Sequence, residues 1–269
     1  MRIITLTTDF GLSDGYVGTM KGVILAIAPD VTLVDITHHI PPPSLAGLRQ
    51  NIRQAAYVLH AAVPYFPAGT IHLAVVDPGV GSARRALAVR IEQGFLVGPD
   101  NGLFTLVLAG QPEAECRAVT RSEHMLPRVS ATFHGRDVFA PVAAHLARGA
   151  SWADLGPRVA DPVMFPIPAP VHAPDGSWHG CVLYADHFGN LVTSVTEKQV
   201  PLSAHVEVSI GGTSIHGVRR TYAEAKQGEL VALIGSSGHL EISVANGNAA
   251  QTLDLGPDAP LTLRETQAT

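Results

Sequence analysis

The sequence predicts an α/β protein in two parts: an N-terminal, Rossmann-like, mostly parallel sheet with flanking helices, and a smaller C-terminal antiparallel β-barrel. Three observations carry this expectation. Over residues 3–149, short β-branched runs alternate with longer helical stretches, the rhythm of parallel strands joined by crossover helices. Proline then recurs at positions 162, 166, 168, 170 and 174, a density that neither a helix nor a central strand survives. Beyond it, short apolar runs follow one another between Gly, Pro, Ser and Asn, with no long helical pattern.

The elements follow in order. IITLTTD (3–9) is rich in β-branched residues and reads as the first strand, KGVILAIA (21–28) as a helix, VTLVDI (31–36) as the second strand. LRQNIRQAAYVLHAAV (48–63) is a second helix, and HLAVVD (72–77), ALAVRI (86–91) and FLVG (95–98) are continuous apolar runs of the kind that strands buried on both faces show. LFTLVLA (103–109) is a short helix and VFAPVAAHLARG (138–149) an amphipathic one. These assignments make residues 1–165 an α/β domain, 166–176 a proline-rich linker, and 177–269 a β domain containing GCVLYAD, NLVTSV, HVEVSI, ELVALIG, HLEISV and PLTLRE. No internal repeat or low-complexity segment is present, which removes solenoids and propellers.

Composition narrows the function classes. A chain of 269 residues with 46% hydrophobic content buries a sizeable core, so disorder is not expected. With 18 basic and 23 acidic residues the formal charge is -5 and no Lys/Arg block forms a phosphate-binding stripe, so nucleic acid is not an expected partner. Cys116 and Cys181 stand far apart without metal-ligand spacing, which argues against a zinc site or a disulfide framework and for a reducing cytoplasm. MRIITLTTDF lacks the long apolar stretch of a signal peptide, and no apolar run nears the ~20 residues that span a bilayer, so no membrane association is expected.

Ligands of open parallel sheets collect at the carboxyl ends of the strands, and several chemistry-bearing residues fall there. Asp9 leaves the first strand, and Asp14 lies in a glycine-bearing loop before the first helix; either serves as a ligand contact or as a helix cap or Asx-turn. Asp77 opens the turn DPGVGSARR, which brings Arg84 back toward it, as a catalytic pair or as a structural ion pair. His134 precedes the helix at 138–149 and is open to both a catalytic and a capping role, as His38 and His39 are before their proline run. In the β domain, DHFGN carries Asp186, Phe188 and Asn190 on one tight loop. Phe188 can stack on a purine while Asn190 matches an adenine edge, and an ordinary turn with an anchoring Phe explains them too. Tyr222 offers a second aromatic face. Ser236 and Ser237 sit in a glycine-flanked turn that suits a carboxylate or simply a hairpin.

Taken in order, TTDFGLSDGYVGTMKG, VDPGVGSARR, PDNGL, TFHGRDVFAPVAAHLA, DHFGN and GSSGHLEI resemble the S-adenosylmethionine (SAM) hydrolase, or SAM hydroxide adenosyltransferase, family, relatives of the fluorinating and chlorinating SAM enzymes. The resemblance spans nearly the whole chain. It implies a catalytic Asp, Arg and His at Asp77, Arg84 and His134. It implies Asp9 on the ribose hydroxyls, Asp14 and Asp186 on the methionine ammonium, Ser236 at the amino-acid end, and adenine between Phe188 and Tyr222 with Asn190 on its edge. It further implies a homotrimer with sites at subunit interfaces, SAM as substrate rather than cofactor, and no metal. Ser237 stands where the fluorinating relatives carry an arginine.

The activity so implied is attack of an activated water on ribose C5′, releasing adenosine and methionine. The sulfonium is already a good neutral leaving group, so the difficulty lies in the nucleophile. Asp77 in ionised form repels a halide but accepts a hydrogen bond from water, which favours hydrolysis over halide transfer. Asp77 orients water and Arg84, Arg84 favours hydroxide-like character, and His134, with a reference pKa of about 6.5, is favoured over Asp77 to accept or relay the proton near neutral pH. Three other readings stay open at this level: a SAM-dependent halide transferase, a non-catalytic SAM or adenosine sensor, and a metal hydrolase using Asp9, Asp14, Asp77 and His134.

Overall fold

The computed structural model describes residues 2–41, 48–200 and 205–266, and the chain divides into two units, Met1–Phe165 and Pro166–Thr269. In the first unit the order is β1 (Ile3–Thr8), α1 (Tyr16–Ile27), β2 (Thr32–Thr37), α2 (Leu48–Ala62), β3 (Thr70–Val75), β4 (Ala86–Ile91), β5 (Gly94–Pro99), α3 (Thr105–Ala109), β6 (Glu115–Ala118), α4 (Ala140–Ala147) and β7 (Arg158–Val159). The seven strands form one sheet in the order β2-β1-β3-β5-β4-β6-β7.

This sheet is mixed rather than mostly parallel. β1 runs parallel to β2 and β3, and β3 parallel to β5, but β4 pairs antiparallel with β5 and β6, and β6 antiparallel with β7. The cause is local. Only Glu92 and Gln93 separate β4 from β5, and a two-residue connection closes a hairpin but cannot return a chain to a parallel neighbour, which takes a dozen residues or more. The apolar runs ALAVRI and FLVG therefore look parallel only because both faces are covered.

The covering is visible in the alternation of β3. Ile71, Leu73 and Val75 join a core with Ile4, Leu6, Met20 and Ile24 of α1 and Leu146 of α4, while Ala74 joins the opposite core with Leu59 of α2, Leu96, Leu103 and Val107 of α3. Burying apolar surface on both faces at about 25 cal/mol per Å² is what drives this three-layer arrangement. It leaves the carboxyl ends of β1 and β3, with Asp9 and Asp77 just beyond them, free to carry loops.

Among the polar side chains buried in this sheet is an imidazole. His72 of β3 is buried, hydrogen-bonded through Nδ1 to Thr5 Oγ1 at 2.9 Å and set edge-on to Phe66; burial pushes its pKa down to about 4. The folded state therefore holds this ring neutral where the unfolded chain protonates it. Stability should be unaffected above the ordinary value of 6.5, then fall as pH drops toward about 4, by about 3 kcal/mol in total. Urea midpoints measured across that window should drop less in a His72→Gln variant than in the wild type.

The second unit contains β8 (Val171–His172), β9 (Trp178–Ala185), β10 (Leu191–Thr196), β11 (Val206–Ile210), β12 (Thr213–His216), β13 (Val218–Arg219), β14 (Leu230–Ile234), β15 (His239–Val244), α5 (Ala249–Leu253) and β16 (Pro260–Glu265). Their order is β12-β11-β16-β9-β10-β15-β14-β13, with β8 on β9. The end strands β12 and β13 are separated in the chain by Gly217 alone, so the sheet curls until its two edges nearly meet, a barrel-like form. Pairing is antiparallel except at the β13–β14 seam. Val182, Leu191, Val208, Leu240, Ile242 and Leu263 fill its interior. Just before the 166–176 stretch, Val163 and Phe165 hydrogen-bond through their backbone N–H to Asp100 and Thr105 within the first unit; inside it, Val171 and His172 form the edge strand β8.

Candidate active site

The turn after β3 is built so that Arg84 folds back over Asp77. Val80 N–H donates to the Asp77 carbonyl at 3.2 Å, Ser82 N–H to the Gly79 carbonyl at 3.1 Å, and Gly81 takes a left-handed φ of 77°. A Cβ at Gly81 would overlap the Ala131 carbonyl, so the turn and the segment before His134 approach each other as bare backbone. Arg84 Nε donates to both Asp77 carboxylate oxygens at 3.0 Å, Nη2 donates to Oδ2 of the same carboxylate, and Nη2 also donates to His134 Nδ1 at 2.8 Å. The guanidinium carbon lies 5.1 Å from the centre of the buried Phe139 ring. With side-chain exposures of 5% for Asp77 and 10% for Arg84, this is a shielded pair, stronger than a surface ion pair and costly to leave half-made.

His134 sits at the start of a π-helical turn, Gly135–Phe139, in which Ala140 N–H reaches back to the Gly135 carbonyl. Such turns shift side chains out of ordinary helical register and recur at functional sites. Asp137 fixes it from below: its carboxylate takes Arg136 and the Ser130 N–H, and its carbonyl takes the Leu126 N–H. Phe133 packs with Phe10 and Tyr16, ring centres 5.7 and 5.1 Å away. A guanidinium has no acceptor, so Nδ1 of His134 is the acceptor and the neutral ring carries its proton on Nε2. Burial, then the charge of Arg84, holds this imidazole below its ordinary pKa.

Asp9 is partly buried beside this pair. Burial, with a further push from the Asp77 charge, holds its carboxyl above the usual range. The turn after β1 is organised by Thr8, whose Oγ1 accepts the Phe10 N–H at 3.3 Å and bonds His38 Nδ1 at 2.8 Å; His38 Nε2 in turn lies 3.0 Å from Asp35. His38 is thus a buried brace for the Asp9 turn, while His39 is exposed. Asp14 is exposed and does not cap α1, whose cap is Gly15 without a side-chain bond. The first unit thereby brings Asp9, Asp77, Arg84 and His134 together and leaves Asp14 in solvent.

In the second unit, Asp186, Phe188, Asn190, Tyr222 and Ser236 line one cavity of about 770 Å³. The DHFGN loop is an Asx-turn: Asp186 Oδ1 accepts the backbone N–H of Phe188 and Asn190, and Oδ2 accepts Asn190 Nδ2 at 2.9 Å. That bond fixes which way the Asn190 amide points. Phe188 is 72% exposed, an aromatic ring held out toward solvent with the His187 ring edge-on to it at 5.5 Å. Ser236 lies in the Gly235–Gly238 turn between β14 and β15. The cavity also exposes residues that sequence reading passed over, Arg220, Thr221, Glu241 and Asn246. Among the described residues, no group of three or more His, Cys, Asp or Glu is placed to hold a metal ion, and no helix is long and apolar enough to cross a membrane.

Residues 4–156 match the family model of the SAM hydroxide adenosyltransferase N-terminal domain, and residues 180–262 that of its C-terminal domain. The chain is 42% identical to the (R)-S-adenosyl-L-methionine hydrolase of Thermus thermophilus, covering 98% of this chain and 100% of that protein. It is 40% identical to the enzyme of the same name from Salinispora tropica, over 94% of each. A crystal structure of an uncharacterised conserved protein from Thermotoga maritima superposes with a TM-score of 0.87 at 34% identity, over 98% of this chain and 99% of that one. Two family models in chain order and full-length identities of this size place the chain in the SAM hydroxide adenosyltransferase family.

Proposed function

We propose that this protein hydrolyses S-adenosyl-L-methionine to adenosine and L-methionine by attack of water on ribose C5′. The observation that carries the reading is the shared guanidinium: Arg84 bonds Asp77 and His134 at once and so holds the carboxylate and the imidazole in one fixed arrangement. In this reading water donates a hydrogen bond to Asp77 and accepts one from His134 Nε2–H, which leaves an oxygen lone pair for the carbon. The C5′–O bond forms as the C5′–S bond breaks, the electron pair stays on the neutral thioether, and the water proton passes to Asp77 and then to solvent. His134 is a donor here, not the base, because Arg84 occupies its Nδ1. Holding a carboxylate near neutral water while excluding bulk solvent contributes through orientation more than through basicity.

Asp9 takes the ribose hydroxyls, Phe188 and Tyr222 the adenine faces, Asn190 its edge, and Asp14, Asp186 and Ser236 the methionine end. SAM is consumed as substrate, and the chemistry calls for no metal or further cofactor. Assembly as a cytoplasmic homotrimer belongs to the same reading, and sedimentation of the purified protein checks the trimer. The decisive experiment is incubation with SAM in ¹⁸O-labelled water, with products separated by mass spectrometry. Label should appear in adenosine at C5′ and not in methionine. Intact SAM, or a 5′-halo-5′-deoxyadenosine when halide is supplied, would overturn the reading.

A further inference from the structure

We infer that Glu241 is a positioning residue that tethers the Tyr222 ring at the wall of the second-unit cavity, so that an aromatic face for the adenosyl group is set before substrate arrives; this rests on the adenosyl-binding reading of that cavity. Glu241 lies on β15, paired across to Leu233 of β14 and Val192 of β10, and is 8% exposed. A buried carboxylate in such apolar company is costly unless it is hydrogen-bonded. Its partner is the Tyr222 hydroxyl, which donates to Oε2 at 2.8 Å. Burial, and then the bond to Glu241, pushes the Tyr222 pKa up to about 12, so the phenol remains a donor throughout the neutral range.

The surroundings are shaped to this bond. Gly235, just past β14, lies directly against the Glu241 carboxylate, so a side chain there would push the acid out of this position. Tyr222 by contrast belongs to a short helical turn, Tyr222–Glu224, capped by Thr221, and is 44% exposed. A ring on such a turn is free to swing unless something holds its far end. Fixing it in advance removes an ordering cost that binding would otherwise meet. An acid on an alternating strand would ordinarily point to solvent, and here it faces a cavity that also contains Asp186, Phe188 and Asn190.

The test measures adenosine affinity by calorimetry on the intact oligomer, alongside KM and kcat for SAM. Glu241→Ala and Tyr222→Phe should each weaken adenosine binding and raise KM about tenfold, with kcat changed much less, and the double variant should be no worse than either single one. Glu241→Gln, whose amide oxygen still accepts the phenol, should recover most of the affinity. Full affinity in Tyr222→Phe, or Glu241→Gln as weak as Glu241→Ala, would overturn the tether, the latter pointing to charge instead. Tyr222→Phe keeps the acid in place and so remains informative if Glu241→Ala fails to fold. Wild-type protein that binds adenosine but leaves SAM intact would sink the hydrolase reading while leaving the tether to stand or fall on the affinities.

Discussion

Arg84→Lys should lower kcat for SAM hydrolysis by about 10²–10³-fold while leaving the protein folded. Lysine keeps the positive charge but presents a single ammonium, whereas Arg84 addresses both Asp77 oxygens from Nε and Nη2 and His134 from Nη2. An ammonium close enough to pair with Asp77 cannot also hold the imidazole at 2.8 Å in the correct tautomer. Arg84→Ala goes further, since it strands the Asp77 carboxylate at 5% exposure and empties the space over Phe139, and should cost about 3–5 kcal/mol of stability as well as activity. Adenosine release followed by chromatography, with a thermal melt for each variant, separates the two effects. Arg84→Lys with wild-type kcat would mean that charge alone suffices and that the forked geometry is incidental.

The sequence exposed the residues of the first-unit site because they are tied to strand exits by short turns. Asp9 lies one residue beyond β1 and Asp77 two beyond β3, and the glycines of DPGVGSARR announce that Arg84 returns. The sheet was less legible. Continuous apolar runs report burial on both faces but not strand direction, so β4 and β5 read as parallel until the two-residue turn between them is given its geometric weight. The π-helical turn under His134 left no trace in VFAPVAAHLARG, because an i to i+5 bond alters apolar spacing by a single residue. Asp14 and Asp186 show opposite outcomes of one ambiguity: Asp186 does organise a turn, as the plainer reading had it, and Asp14 neither caps α1 nor joins the other carboxylates. Glu241 was hidden for a different reason. HLEISV alternates as a half-exposed strand would, and only its pairing on both sides reveals that the polar member is inside.

His134 offers the sharpest separation of mechanisms. His134→Ala should lose about 10²–10³-fold in kcat whether the ring acts as donor or base, so truncation alone does not discriminate. The conservative pair does. Asparagine places an amide oxygen where Nδ1 accepts from Arg84 but has nothing at the Nε2 position, whereas glutamine reaches that position with an N–H donor and gives up the acceptor. If the ring donates to water, His134→Gln retains activity within about tenfold of wild type and exceeds His134→Asn; if it is the base, both fall to the level of alanine because neither amide titrates. The pH profile adds an independent reading. Burial and the charge of Arg84 keep the imidazole neutral to below its ordinary value of 6.5, and protonation there would set an N–H against the guanidinium. Wild-type kcat should therefore be level at neutral pH and fall only below 6.5, as the ring gains its second proton. In His134→Gln that His-dependent limb should vanish, and an unchanged limb would assign the titration to Asp9, whose carboxyl is held above the usual range next to Asp77.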